Sequence, residues 1–154
     1  PSTVKYADKN YLITIIEKAW EINNIPLTFH LDHHENVEDI KEDFEYVKVS
    51  VDVTNIGNYD TDEVIQLYLK DLESEYAVLN HSLVGFKRIH LNKGETKTVN
   101  LEIRRKEFEV VNNEGNRVLD SKKFKLFAGV SQPDSKSVEL VGVKPLEKEI
   151  CINN

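Results

Sequence analysis

The sequence predicts a mainly β protein in which an antiparallel two-layer sandwich follows a short helix–strand–helix segment. Three observations carry that prediction. From Val47 onward apolar residues alternate with polar ones in several short runs, turn residues separate those runs at regular intervals, and ahead of Phe44 the apolar spacing is that of a helix. The change of period near residue 44 divides the chain into residues 1–42, residues 43–143 and a tail, 144–154, with no proline- or glycine-rich linker at the first junction.

Between Asp8 and Asn24 the residues Tyr11, Leu12, Ile15, Ile16, Ala19 and Trp20 recur at helical spacing, which predicts a helix stopped by Asn23 and Asn24 ahead of Pro26. Ile25 to Phe29 is a short apolar run expected to be a strand. It ends in His30-Leu31-Asp32-His33-His34, after which Asn36 is placed to cap a second helix through Asp43. That order is the pattern of an α/β protein with parallel strands, whose reactive side chains gather at the C-terminal ends of strands.

Beyond Phe44, Val47, Val49, Val51 and Val53 alternate with Lys48, Ser50, Asp52 and Thr54, closed by the turn residues Asn55, Gly57 and Asn58. Ile65, Leu67 and Leu69 share one face of the next strand. Phe86 to Leu91 and Val99, Leu101 and Ile103 flank the turn Asn92-Lys93-Gly94. Phe108 to Val111 and Val118-Leu119 flank Asn112 to Gly115, a loop of hairpin type. Phe124, Leu126 and Ala128, then Val138 and Leu140, supply two closing strands around Pro133-Asp134. Roughly seven or eight short strands with no helical run among them make a sandwich.

At 154 residues and 40% hydrophobic content, the chain can bury a real core but has little room for a second complete domain. Its net charge of -7, with lysines interspersed, repels nucleic acid phosphates and anionic membranes, so neither is an expected partner. No stretch approaches the roughly 18 apolar residues of a membrane span. The single cysteine, Cys151, excludes an internal disulfide and any multi-cysteine metal site; it leaves the compartment unknown, with the cytoplasm favoured.

Four ordered blocks make the sandwich more specific: Val51-Asp52-Val53-Thr54-Asn55-Ile56-Gly57, Asp62-Glu63-Val64-Ile65-Gln66-Leu67-Tyr68, Leu83-Val84-Gly85-Phe86-Lys87-Arg88-Ile89 and Lys93-Gly94-Glu95-Thr96-Lys97-Thr98-Val99. Over about residues 44–143 the sequence resembles the C-terminal fibronectin type III-like domain of family 3 glycoside hydrolases such as β-glucosidases. The resemblance implies an immunoglobulin/fibronectin-III-like sandwich, non-catalytic, whose partners are the catalytic domains it packs beside and stabilises. It also implies that the nucleophilic aspartate and the acid/base glutamate of glycoside hydrolysis lie in other domains, so no glycosidase catalytic residue is assigned here, and substrate-binding residues are unknown. Two turns depart from the family, at Lys93 and at Asp120-Ser121-Lys122-Lys123, and the family's first strand has no counterpart directly ahead of Tyr46. Asp60, Asp62, Glu63, Asp71, Glu73 and Glu75 are expected to be solvated turn and loop charges. Tyr59, Tyr68 and Tyr76 are expected to serve packing rather than sugar stacking.

The first 42 residues carry a different likeness. The helical stripe and the run Ile25-Pro26-Leu27-Thr28-Phe29-His30-Leu31-Asp32-His33-His34 resemble part of a class II aldolase, closest to the tagatose-bisphosphate type. By position, the resemblance makes Asp32 the catalytic acid/base and His33 a zinc ligand, and it implies a zinc cofactor only if that segment works. A catalytic zinc site takes about three protein ligands, and the remaining ones belong to later barrel strands with no match in this chain. His81 and His90 fall inside sandwich blocks and are not recruited. Asp32 and His33 are therefore expected to be non-functional and no cofactor is expected. The change of period, the missing first strand, the absent linker and the start at Pro1 give the expectation of a fragment or a fused reading frame. Three readings follow: an accessory domain of a family 3 glycoside hydrolase, a zinc-dependent ketose-bisphosphate aldolase, and a free-standing carbohydrate- or protein-binding sandwich.

Overall fold

A computed structural model of the chain describes residues 5–7, 10–15, 19–22, 25–29, 37–55, 58–141 and 145–153. Ahead of residue 42 the described backbone is extended, in β1 (Lys5–Ala7), β2 (Asn10–Ile15), β3 (Ala19–Ile22), β4 (Ile25–Phe29) and β5 (Val37–Lys41). Then follow β6 (Tyr46–Asn55), β7 (Thr61–Asp71), β8 (Ser82–Leu91) and β9 (Thr96–Arg104). After a 3-10 turn at Arg105–Phe108 come β10 (Val110–Val111), β11 (Arg117–Val118), β12 (Lys123–Gly129), the helix α1 (Ser135–Val141) and β13 (Leu146–Asn153).

The alternating run around residue 50 forms the centre of the first sheet. Val47, Val49, Val51 and Val53 of β6 are fully buried, and antiparallel pairing sets Val47 opposite Ile103, Val49 opposite Leu101 and Val51 opposite Val99 of β9. The β-branched residues suit this pleated, one-sided surface, and the period of two puts Lys48 and Thr54 on the other side. The second sheet runs β5-β13-β12-β7-β8. Its inward residues, among them Ile65, Leu67, Phe124, Leu126 and Ile150, join the β6 and β9 valines in one continuous core. Two sheets with a shared apolar interior make a β-sandwich, as the period of two predicts. At one end Phe108 sits between Phe44 and Phe124, each ring edge-on at 5.1 Å, and the Arg105 guanidinium lies 5.2 Å from the Phe44 ring.

Three expectations are corrected. The helix read from Asp8 to Asn24 is absent wherever the backbone is described there, since Asn10–Ile15 and Ala19–Ile22 are strands, and Val37–Lys41 is a strand in place of the second helix. Tyr, Ile and Trp serve an extended chain as well as a helix stripe, and β6 offers a backbone edge that local spacing does not reveal. β2 takes that edge in parallel over Tyr46 to Val51, and β4 takes it antiparallel over Val53 to Asn55, so β6 is paired along both sides. Second, Val138 and Leu140 lie in α1. Asp134 starts that helix by accepting Ser137 N at 2.9 Å and Ser137 Oγ at 2.7 Å. Third, the closing strand is β13, in residues set apart as a tail, with Leu146, Ile150 and Ile152 buried. β13 pairs antiparallel with β12 and parallel with β5, so strand pairing runs across position 43 and into the C-terminal residues.

Candidate functional site

Asp32 and His33, with His30 and His34, lie outside the described residues. Among the described residues no group of three or more His, Cys, Asp or Glu is placed to hold a metal ion. His81 stands edge-on to Phe127 at 4.6 Å, and burial lowers its affinity for a proton, with Lys70 adding to the effect. His90 projects from β8, with Nδ1 2.5 Å from Asp62 Oδ1 and Nε2 3.1 Å from Asn92 Oδ1. The hydrogen bond to Asp62 raises the imidazole pKa. The same bond, seconded by Arg88, lowers that of the Asp62 carboxyl.

The carboxylates of residues 60–75 sit in turns and at strand ends, but several do more than meet water. Asp60 accepts the Lys93 amide at 2.8 Å, which ties the start of β7 to the β8–β9 turn. Asp71 Oδ1 accepts the amides of Glu73 and Ser74, each at 3.0 Å, and the Ser121 hydroxyl, while its Oδ2 is buried. Glu73 accepts the Lys122 amide at 2.9 Å. Glu63 is partly buried, which raises its carboxyl pKa. Sequence reasoning missed these roles because Asp71 and Ser121 meet only once β7 and β12 are paired. Of the three tyrosines, Tyr68 is buried and donates to Gln66 Oε1 at 2.7 Å, Tyr59 is 77% exposed, and Tyr76 lines a hollow at one end of the sandwich.

That hollow, about 370 Å³, lies between the β7–β8 connection and the β10–β11 hairpin, with Leu69, Phe108 and Phe124 among its lining. Three carboxylates line it. Asp71 is committed to Glu73, Ser74 and Ser121, and Glu109 pairs with Arg105 at 3.5 Å, so Glu107 is the one with no partner among the described residues. Hydrolysis by the usual glycosidase route needs two available carboxyls roughly 5 to 10 Å apart, and this arrangement does not supply them. The more distinctive surface is apolar. Of the eight exposed large hydrophobic side chains among the described residues, five fall between residues 72 and 86: Leu72, Val78, Leu79, Leu83 and Phe86.

A family model for the fibronectin type III-like domain matches residues 63–132, which run from β7 through β12. Residues 63–132 are a fibronectin type III-like domain. The chain is 38% identical over 94 residues to a β-xylosidase of Formosa agariphila, an alignment covering 60% of this chain and 13% of that protein. It is 34% identical over 115 residues to a β-glucosidase of Kluyveromyces marxianus, covering 73% of this chain and again 13% of the relative. The chain thus spans a small part of the length of these relatives, 13% in each case. Among solved structures, the Kluyveromyces marxianus β-glucosidase superposes with a TM-score of 0.59 at 28% identity, over 71% of this chain and 12% of that one. A β-glucosidase from Listeria innocua shares the fold at a TM-score of 0.65 and 23% identity, over 84% of this chain and 16% of that one. These relatives support the likeness to the fibronectin type III-like domain of family 3 glycoside hydrolases. A match to one segment of such proteins is consistent with an accessory domain.

Proposed function

We propose that the chain works as a packing module for the catalytic domains of a glycoside hydrolase acting on β-glucosides or β-xylosides, using the β7–β8 connection and the outward side of β8 as its contact surface. The observation that carries this reading is Phe86, 66% exposed in the middle of a strand, with Leu83 on the same strand and Val78 and Leu79, 92% exposed, just ahead of it. Several exposed apolar side chains so close in sequence on a charged chain favour a surface that another protein covers. The alternative aldolase reading, with Asp32 as acid/base and His33 on zinc, has no support in the relatives described above, which are named for glycosidase activities.

A chimera tests the proposal. The matching domain of the Kluyveromyces marxianus β-glucosidase is replaced by this chain, and activity and melting temperature are compared with those of the enzyme lacking the domain. The proposal expects the chimera to be the more stable and active protein, and Phe86→Asp to remove most of that gain while leaving the isolated chain folded. Hydrolysis of aryl glucosides by the isolated chain, or a chimera no better than the truncated enzyme, counts against it.

A further inference from the structure

The hollow of about 370 Å³ at the end of the sandwich is apolar inside and apolar at its two sides. Its interior includes Leu69, Phe108 and Phe124, buried members of the shared core. Val78 on the β7–β8 connection is 65% exposed and Val111 on β10 is 51% exposed, so both walls present apolar surface to water. One of those walls belongs to the exposed run Val78-Leu79, part of the surface given above to the packing contact.

Charge narrows what can enter. The lining carries three carboxylates, of Asp71, Glu107 and Glu109, and two cations, Lys106 and Arg117. Mixed signs select neither a cationic nor an anionic occupant, and burying a charge without a dedicated partner is costly. Glu107 has no partner among the described residues and offers an acceptor to a neutral donor. A ring with one hydrogen-bond donor satisfies both kinds of lining, and Trp and Tyr are the side chains of that form. We infer that the hollow receives a Trp or Tyr side chain from the neighbouring catalytic domain, its ring between Val78 and Val111 and its N–H or O–H donated to Glu107. Aromatic anchors seated in such pockets carry much of the energy of protein interfaces. The chain spans 13% of the length of the β-xylosidase and β-glucosidase relatives, so the larger part of such a protein lies outside it and can supply the anchor. The inference rests on the packing-module reading and gives that contact a specific point of attachment.

The test has two arms. In the first, the isotope-labelled full chain is titrated by NMR with N-acetyltryptophanamide, beside the corresponding arginine amide. Saturable shifts confined to residues 69–82 and 106–117 are expected with the tryptophan amide, with binding of the arginine amide weaker by about tenfold. Ala77→Phe, which fills the hollow from its wall, should abolish the shifts, and Glu107→Ala, at an exposed position, should weaken binding by about fivefold. The same spectra report whether each variant is folded. No saturable shifts, shifts scattered over the surface, equal binding of the arginine amide, or full affinity in both variants overturns the inference. In the second arm the two substitutions are placed in the chimera described above, where each should remove part of the gain in melting temperature. A chimera that is stabilised and keeps its full gain in both variants overturns the anchor and leaves the packing module standing. A chimera that gains nothing overturns the packing module and the anchor with it.

Discussion

Asp62 on β7 and His90 on β8 face each other in register, with Asp62 Oδ1 2.5 Å from His90 Nδ1 and Asp62 Oδ2 2.7 Å from Arg88 Nη2. The second ring nitrogen of His90 meets the Asn92 side-chain oxygen, so both nitrogens point at acceptors and the ring is best satisfied as an imidazolium. The folded-state pKa of His90 is raised, first by its hydrogen bond to Asp62 and then by that to Asn92. A raised histidine stabilises the fold fully below the unfolded value near 6.5, and the contribution disappears as pH rises through the folded value. Asp62 is shifted the other way, so its contribution is present above its unfolded value near 3.8 and lost in acid. His90→Gln is therefore expected to lower the melting temperature more at pH 5.5 than at pH 9, by a small margin because the pair is exposed. Equal losses at the two pH values would contradict the assignment.

Phe108 makes a second case, in which packing decides. It is buried between Phe44 and Phe124, each at a ring separation of 5.1 Å, and it joins the segment entering β6 to β12. Truncating such a residue leaves a void between two rings that lose their edge contacts, and Phe108→Ala should cost about 3–5 kcal/mol in chemical denaturation. Val111→Ala, nearby but 51% exposed, should change stability by less than about 0.5 kcal/mol.

How far these features could be read from the chain depended on the distance over which each is determined. The valines of β6 and the Val99, Leu101, Ile103 set announce themselves because a period of two is local, and all seven are buried. β13 is hidden from a local reading because Lys148 interrupts the apolar set Leu146, Ile150 and Ile152, although Lys148 itself is buried at an inward position. The strands at Asn10–Ile15 and Val37–Lys41 depend on partners far along the chain, β6 and β13, which no window of ten residues contains. For the candidate site, the blocks around Val64 and Phe86 carried the family likeness, but the exposure of Phe86 and the bonding of Asp71 to Ser121 depend on three-dimensional neighbours.

Gly94 is needed for its backbone rather than for space. Its φ is +77°, and a Cβ built there meets nothing within 4 Å. Its amide donates to Asn55 O at 2.8 Å, locking the β8–β9 turn against the end of β6. Gly94→Ala should cost about 1–2 kcal/mol from the left-handed conformation alone, with Gly94→Asn less damaging because Asn tolerates that region. If Ala and Asn cost the same, steric or packing effects outweigh the backbone term. The comparison is made by urea denaturation of the three proteins.

Removal of β13 tests whether the last strand belongs to the fold. Residues 146–153 place Leu146, Ile150 and Ile152 in the shared core and pair β12 along Lys123 to Ala128. Ending the chain at residue 144 would strip one side of β12, leaving backbone donors and acceptors of a central strand open to water and the β12 core residues Phe124 and Leu126 partly uncovered. Burying a large aliphatic side chain contributes about 1.5–3 kcal/mol, so three of them together rival the whole stability of a domain of this size. The truncated chain is expected to lose cooperative thermal unfolding and to aggregate. The point variant Ile150→Ala should instead stay folded, with a loss of about 2–5 kcal/mol. Cooperative melting of the truncated chain near the temperature of the full chain would show that β13 is dispensable.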